Sequence, residues 1–380
     1  MTSRERLLTV LKGGIPDCVP VSPDVSNMIP ARMTGLPFWD IYLYQKIPQW
    51  KAYIDCVKYF GFDSLMDGFV RILFDELGEI DRDVKEAVVL KDEGRIVTRR
   101  YRQVNGKVFW EDLVNVYFRD NPPVRDIDPA RAGADLTPSR FEPVVSQNPY
   151  EGIEGEELLK TVKQEMGEHG LVGVWCGRST FVTNTQQVYD YYDDPEPFIE
   201  ASREYLKKSV IRFKKLMSLE TKPDFICTGG SGTLVYQTAD MFRKLGLPVV
   251  KTISELCSEC GIPSHVHSCG PEKELVKILS EETKLTVIDP LEIPPMGNCD
   301  LKELKRLYGH RLVLKGNLHT TDVMLRGSVQ DVKDASRRAI DDAAEGGRFI
   351  LSTGDQCGRD TPDENIFAMI ETAHTYGRYA

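Results

Sequence analysis

The sequence has no apolar run that approaches the ~20 residues needed for a membrane-spanning helix. It opens with a short apolar run interrupted by Arg4, Glu5 and Arg6, without a long h-region or a small-residue cleavage site, so no signal peptide is expected. The sequence also lacks an excess of basic residues: the 48 Lys and Arg are outnumbered by 58 Asp and Glu, and the formal net charge of -10 argues against nucleic acid and against an anionic membrane surface. The nine cysteines are odd in number and scattered, which is not the pattern of a disulfide framework and favours a reducing cytoplasm.

What the sequence does contain is a series of short apolar runs of strand type, each followed by a helical pattern. The runs are residues 19–24, 62–67, 171–176, 225–228, 264–267, 285–289, 311–315 and 348–352. Strands that alternate with helices imply a parallel sheet, and about eight of them are what a closed barrel requires. The predicted fold class is therefore α/β, a (β/α)8 TIM barrel, formed by a single domain over residues 1–380.

One stretch, approximately residues 76–142, departs from this alternation of strands and helices, because its apolar and polar residues alternate with period two. Gly94 and Asn105-Gly106 lie where the turns of hairpins are expected. The pattern predicts a β-hairpin insertion after the second strand, packed at the barrel mouth.

In such barrels the functional side chains lie at the carboxyl ends of the strands. The fifth run ends in His267, followed by Cys269, and Cys357 follows the eighth run. One imidazole and two thiolates suit a tetrahedral Zn²⁺ with an open fourth position, which is typical of a catalytic site. Without further information, Cys269 and Cys357 are equally well interpreted as buried small apolar residues.

Three neighbouring features have simpler interpretations. His265 is expected to face the helices as a hydrogen-bonded core residue. The pair Cys257 and Cys260 has the spacing of a structural zinc knot, but its place at the end of a helix favours an ordinary helix terminus. The glycine-rich loop 229–232 lacks the lysine of a nucleotide-binding loop, so it indicates room for a substrate.

Several motifs resemble those of one family. They are Arg4-Glu-Arg-Leu-Leu, Pro16-Asp-Cys-Val-Pro-Val, His267-Ser-Cys-Gly270, Gly316-Asn317 and Cys357-Gly-Arg-Asp-Thr-Pro-Asp-Glu-Asn365. Together they resemble the uroporphyrinogen decarboxylase-like superfamily, and within it the cobamide-dependent zinc methyltransferases, over nearly the whole chain. The resemblance implies a barrel, a zinc ion held by His267, Cys269 and Cys357, and methyl transfer to or from a corrinoid on a partner protein. It also makes a homodimer an expected state.

Two directions of transfer fit the same metal. A thiol acceptor can be bound as the thiolate and attack methylcobamide. Alternatively, the metal can act as a Lewis acid on a methyl ether or methanol while reduced cobalt attacks the methyl group. Aromatic residues expected at the mouth, among them Trp175, Phe181 and Tyr236, favour a methoxylated aromatic substrate.

Further site residues follow from their places at strand ends. Asp289, Glu292 and His319 are predicted catalytic residues that orient a zinc ligand or carry a proton, and Glu292 is also a candidate fourth ligand. His319 can instead cap the next helix. Asp24, together with Trp175 and Tyr236, is predicted to bind the substrate.

Two other functions compete with methyl transfer. A metal-free decarboxylase of the uroporphyrinogen decarboxylase type needs several arginines near the first strand to grip substrate carboxylates, but residues 26–33 contain Arg32 alone. A non-catalytic scaffold predicts that changing Cys357 affects stability only.

Overall fold

The computed structural model describes residues 1–79, 81, 83–134 and 141–379. Ile80, Arg82 and residues 135–140, which belong to the predicted insertion, lie outside the described residues. The chain forms two compact units: Met1–Asp24, Val57–Ile72 and Gly155–Ala380 are the barrel unit, and Val25–Cys56 with Leu73–Glu154 are the insertion unit. The single-domain organisation stays a prediction. Among the described residues, no helix has the length and apolarity required to span a bilayer.

The helices of the described residues are α1 (Ser3–Leu11), α2 (Met28–Met33), α3 (Phe38–Tyr42), α4 (Gln49–Phe60), α5 (Pro129–Ala132), α6 (Gly155–Met166), α7 (Thr185–Asp193), α8 (Glu196–Ser218), α9 (Ala239–Leu245), α10 (Leu247–Glu259), α11 (Lys273–Glu282), α12 (Leu301–Tyr308), α13 (Val329–Ala343) and α14 (Asp363–Thr375). The strands are β1 (Ser64–Met66), β2 (Lys85–Lys91), β3 (Arg95–Val104), β4 (Lys107–Phe118), β5 (Val124–Ile127), β6 (Glu142–Pro143), β7 (Gly170–Trp175), β8 (Phe225–Cys227), β9 (Ser264–His267), β10 (Val287–Asp289), β11 (Val313–Leu318) and β12 (Phe349–Thr353). Short 3-10 helices cover Asp75–Leu77 and Gly167–His169, and a π-helix covers Thr320–Leu325.

The barrel unit contains seven parallel strands in the order β1-β7-β8-β9-β10-β11-β12. The predicted first strand is reduced to a short extended segment, which nevertheless joins the two edges of this sheet. Leu351 in β12 donates to Pro20 O and accepts from Ser22 N, both at 2.8 Å, while Asp63 N donates to Val21 O at 2.8 Å. The eight predicted runs therefore all take part in the sheet, and the predicted (β/α)8 class is confirmed.

The interior of the barrel unit is filled by apolar side chains from successive strands. Leu65, Leu171, Phe225, Val287, Val313 and Ile350 form one buried cluster with Leu7, Val10 and Leu11 of α1. Alternate residues of a strand face the same side, which is why β8 adds Cys227 to this cluster as well as Phe225. Helix α1 thus packs its apolar face on the barrel core.

The helical pattern of residues 239–260, which by itself indicates one helix, forms two helices, α9 and α10, that meet at Gly246. A side chain at Gly246 would collide with the carbonyl oxygen of Ser179. Pro248 occupies the first turn of α10, where its missing N–H costs no helical hydrogen bond. Close packing at Gly246, together with Pro248, therefore ends one helix and begins the next.

The N-terminal motif is held to the barrel by ion pairs. Arg4 donates to both carboxylate oxygens of Asp224, at 3.0 and 2.6 Å, and Lys163 lies 3.0 Å from the same carboxylate. Burial opposes the ionisation of Asp224, but the hydrogen bond from Arg4 and the charge of Lys163 outweigh it, so its pKa is lowered. This pair gives a structural role to the first arginine of the N-terminal motif.

Asp224→Asn should therefore destabilise the protein by about 2 kcal/mol near neutral pH, since charge-assisted hydrogen bonds of this kind are lost. A carboxyl with a depressed folded-state pKa contributes stability above its unfolded pKa, and this contribution disappears as the pH falls through the folded value. The difference in melting temperature between wild type and Asp224→Asn should then be constant above about pH 5 and shrink below about pH 4. A difference that persists unchanged at low pH would contradict this account.

The insertion unit contains an antiparallel sheet in the order β5-β4-β3-β2-β6, which is larger than the single hairpin predicted. The turn between β3 and β4 is Asn105-Gly106, with positive φ angles of 50° and 77° as a type I′ turn requires. Ile96 and Tyr117 of the sheet pack with Phe38 and Ile41 of α3. The predicted position of this insertion at the barrel mouth stays a prediction.

Candidate metal and active site

The ends of β9 and β10 lie side by side. His267 is the last residue of β9 and pairs in register with Asp289, the last residue of β10. Cys269 follows two residues after His267, and Glu292 three residues after Asp289. These side chains lie at the carboxyl edge of the parallel sheet, where barrel enzymes place their reactive groups.

Asp289 is the centre of a buried hydrogen-bond network. Its Oδ1 accepts from His265 Nε2 and from His267 Nδ1, each at 3.0 Å, and its Oδ2 accepts from Lys315 Nζ. Burial disfavours the carboxylate, but the charges of Lys315 and the two histidines outweigh it, so the pKa of Asp289 lies well below its usual value. Asp289 thus fixes the orientation of His267 through Nδ1 and leaves Nε2 for another partner.

The expectation that His265 faces the helices is wrong. His265 and His267 both hydrogen-bond to the same oxygen of Asp289, so both face the barrel interior. The physical reason is the period of a strand: residues two apart share a face, and only neighbouring residues face opposite sides. The interpretation of His265 as a hydrogen-bonded buried residue agrees with the structure, since only 2% of it is exposed.

Cys269 is surrounded by possible metal ligands. Its sulfur and one carboxylate oxygen each from Glu292 and Asp355 all lie within 4.8 Å of one another. His267 is hydrogen-bonded to Cys269, and its Nε2 lies 3.9 Å from Asp355 Oδ1. One sulfur, one imidazole nitrogen and carboxylate oxygens form a donor set that fits Zn²⁺. We call these four residues the Cys269 group.

The pKa values of His267 and Glu292 are shifted by their burial and by neighbouring groups. Burial opposes protonation of His267, but Asp289 outweighs it and raises the pKa of the imidazole well above its usual value. Burial and the charge of Asp355 raise the pKa of Glu292, although Gly270 N–H donates to Glu292 Oε2 and acts in the opposite direction. Metal binding at this group must therefore displace protons.

Cys357, the third predicted ligand, has other contacts. Its side chain is fully buried and hydrogen-bonded with Thr353, and its backbone N–H donates to Asp24 O at 2.8 Å. Burial raises the pKa of its thiol to about 12. Within the described residues the structure brings His267 and Cys269 together, and Cys357 is not a member of the Cys269 group. The role of Cys357 as a zinc ligand stays a prediction.

His319 caps a helix in this structure. Its Nδ1 accepts hydrogen bonds from Thr321 N at 3.2 Å and from Asp322 N at 3.0 Å, at the start of the π-helix. It nevertheless lines a small pocket together with Glu292. The capping role that the sequence left open is thus present, and the catalytic role of His319 stays a prediction.

The predicted substrate-binding residues differ in exposure. Asp24 N donates to Thr353 Oγ1 at 3.0 Å, next to the last strand. Trp175 is half-buried and packs on the barrel core, whereas Tyr236 is 42% exposed. Phe181 is buried and contacts the Arg178 guanidinium, whose carbon lies 4.2 Å from the ring centre. Their binding of a substrate stays a prediction.

Three residues of this region were missed at the sequence level. Asp355 lies two residues before Cys357, on the same loop. Ser231 lies in the glycine-rich loop after β8, with its Oγ 2.5 Å from the sulfur of Cys269. Lys315 is in the seventh run, where its polar head interrupts an apolar strand. Of the three, only Lys315 gave a signal in the sequence: a lysine inside an apolar strand is expected to be buried, and a buried charge usually has a partner of opposite charge.

The pair Cys257 and Cys260 does not join a metal group among the described residues. Cys257 is fully buried on α10, and Cys260 is the exposed residue that ends this helix.

The fold and these side chains define a (β/α)8 barrel with a cysteine, a histidine and carboxylates at the carboxyl edge of its strands. Residues 220–376 match the family described as uroporphyrinogen decarboxylase (URO-D). The chain is 24% identical over 139 residues to methylcobamide:CoM methyltransferase MtbA of Methanosarcina mazei, a match that covers 36% of the chain and 37% of that relative. The chain thus spans less than two fifths of the curated relative that it matches.

A solved structure described as a methyltransferase from Methanosarcina mazei matches this chain with a TM-score of 0.61. The match covers 99% of both chains at 16% sequence identity, which establishes the likeness of fold. Together these findings confirm the predicted resemblance to the uroporphyrinogen decarboxylase-like methyltransferases.

Proposed function

We propose that this protein is a zinc-dependent methyltransferase that moves a methyl group between a small molecule and the cobalt of a corrinoid protein. The observation that carries the proposal is the Cys269 group: a thiol, an imidazole and two carboxylates at the carboxyl edge of a (β/α)8 barrel. The similarity of the chain to a methylcobamide:CoM methyltransferase supports the same activity.

His267 and Cys269 would hold the zinc, and the Asp355 carboxylate lies where it can complete the coordination, while Glu292 could occupy the open position only until a substrate displaces it. The predicted ligand Cys357 would join them through another rotamer of its side chain. Bound zinc would supply a Lewis acid that stabilises a thiolate or polarises a methoxy oxygen.

The protein's own residues position the reaction. Asp289 orients His267 through Nδ1, and Ser231 hydrogen-bonds with the sulfur of Cys269. Glu292 has a raised pKa next to Cys269, so its carboxyl group is suited to accept the proton of a thiol substrate or to protonate a departing alkoxide. We assign proton transfer to Glu292, and assign His319 a supporting role in the same pocket.

The carboxylates near Cys269 disfavour the alternative function, metal-free decarboxylation of a porphyrinogen. Three carboxyl groups lie near His267 and Cys269 in the described residues: Asp289 at the end of β10, and Glu292 and Asp355 on the loops after β10 and β12. A substrate with several carboxylates needs cationic partners, and the ammonium of Lys315 is already bound to Asp289. The site is therefore suited to a neutral or thiol-containing small molecule.

The direct test is a methyl-transfer assay with the full-length, zinc-loaded protein. Methylcobalamin is offered with a panel of thiols, and reduced cobalamin is offered with methoxyarenes and methanol, while the absorption of cobalt reports transfer. We expect turnover with at least one class: a thiol as for the relative, or a methoxyarene as the aromatic residues suggest. Absence of transfer with all of them would refute the proposal.

A further inference from the structure

A second group of metal-binding side chains lies in the barrel, apart from the Cys269 group. Asp67 follows β1, Cys227 is the last residue of β8, and His265 lies inside β9. Cys227 is 0% exposed and His265 is 2% exposed, while the Asp67 side chain retains 31% exposure. Nothing in the proposed methyl transfer uses these three residues.

The spacing of the three candidate ligand atoms is that of a tetrahedral metal site. Cys227 Sγ lies 3.7 Å from Asp67 Oδ2 and 3.6 Å from His265 Nδ1, and the latter two atoms are 3.5 Å apart. A tetrahedral zinc ion with sulfur at about 2.3 Å and nitrogen or oxygen at about 2.0–2.1 Å requires edges of about 3.6 Å to sulfur and about 3.4 Å between nitrogen and oxygen. The three observed edges differ from these values by about 0.1 Å, well inside the tolerance of real sites.

The orientation of His265 is also that of a metal ligand. Its Nε2 donates to the buried carboxylate of Asp289 at 3.0 Å, so Nδ1 carries the lone pair and faces Cys227 and Asp67. A histidine that ligates zinc commonly gives its other N–H to a carboxylate, which fixes both the tautomer and the ring.

The charges of the group balance those of a divalent ion. One carboxylate and one thiolate would neutralise it, and His265 adds a neutral ligand. The ammonium of Lys315, which is also buried, is bound to Asp289. The partial exposure of Asp67 provides an entry path and leaves room for water as the fourth ligand.

We propose that Asp67, Cys227 and His265 bind a second ion of the zinc class, separate from the ion at Cys269. This site does not depend on the proposed methyltransferase activity. The competing interpretation is a buried hydrogen-bonded trio, which would bind no metal.

The test uses the full-length Cys269→Ala protein, in which the first site is already disabled. After chelator treatment, reloading with Zn²⁺ and desalting, we expect about one zinc per chain. Adding Cys227→Ala should remove this zinc, whereas adding Cys257→Ala should retain it, because Cys257 is an equally buried cysteine outside both groups. Equal zinc contents in the two double variants would overturn the proposal.

Two further measurements keep the test valid if Cys227→Ala does not fold: cobalt(II) binding and a milder substitution at Asp67. Cobalt bound to the Cys269→Ala protein should give a thiolate-to-cobalt absorption band, and its absence would overturn the proposal. Asp67→Asn keeps the size of a partly exposed side chain and should weaken zinc binding at least about tenfold, with an unchanged melting temperature of the metal-free protein. An unchanged zinc affinity when Asp67→Asn is added to the Cys269→Ala protein would also contradict the site.

Discussion

Replacement of Cys269 by alanine is expected to remove the catalytic zinc and to lower the rate of methyl transfer at least ~100-fold. Even residues that only orient a zinc ligand are worth about 10–100-fold in affinity or activity, so a directly bound thiolate should be worth no less. The measurements are zinc content by elemental analysis and the change in cobalt absorption. Exposed Cys260 provides the matched control, since Cys260→Ala leaves the Cys269 group intact.

The same assay assigns the remaining ligands. If Cys357 is the third ligand, Cys357→Ser should lower the zinc affinity as strongly as Cys269→Ala. If the carboxylates complete the site instead, Glu292→Gln and Asp355→Asn should lower the zinc affinity, and Cys357→Ser should leave it unchanged. Full activity and full zinc content in Cys269→Ala would exclude Cys269 as a ligand.

The second large effect is expected at Arg6, far from the mouth. Arg6 Nη1 donates to Asp63 Oδ1 at 2.6 Å, and Asp63 is 0% exposed. The other oxygen, Oδ2, accepts from Val21 N at 2.9 Å, so this carboxylate joins the first extended segment to β1. Arg6→Met keeps an apolar stem but leaves a buried charge without its main partner, which should cost about 3–5 kcal/mol of unfolding free energy.

Urea unfolding measures this effect. Lys12→Met removes the same charge from an exposed position of the same region, and should change the stability by less than about 0.5 kcal/mol. Arg6→Met combined with Asp63→Asn should recover part of the loss, because the uncompensated charge is gone. Equal midpoints for Arg6→Met and Lys12→Met would show that the buried pair contributes no stability.

Much of the barrel was predictable because each strand is a short apolar run with local boundary signals. Seven of the eight predicted runs contain a strand, and the run at 19–24 forms a bridge to Leu351. The break at Gly246 was missed although Gly246 and Pro248 are local signals for it; only the close contact of Gly246 with Ser179, 67 residues earlier in the chain (246 − 179), depends on the folded structure. The size of the insertion sheet was also missed, since β5 and β6 are short and lack strong alternation.

The site was predictable where its residues are close in sequence. His267 and Cys269 are two residues apart, and their partner Asp289 is recognisable at the end of the next strand. Asp355 and Ser231 could not be assigned, because their contact with Cys269 depends on how distant loops fold together. The error at His265 was one of geometry, since strand periodicity already places it beside His267.

Asp289 Oδ1 is shared by two imidazoles, and this sharing links the two histidines thermodynamically. A ligand that pulls His267 away from Asp289 leaves that oxygen to His265 alone, and the reverse holds for a ligand of His265. If ions bind at both proposed sites, Asp289 is the group through which each would change the affinity for the other, and reciprocity makes the two factors equal.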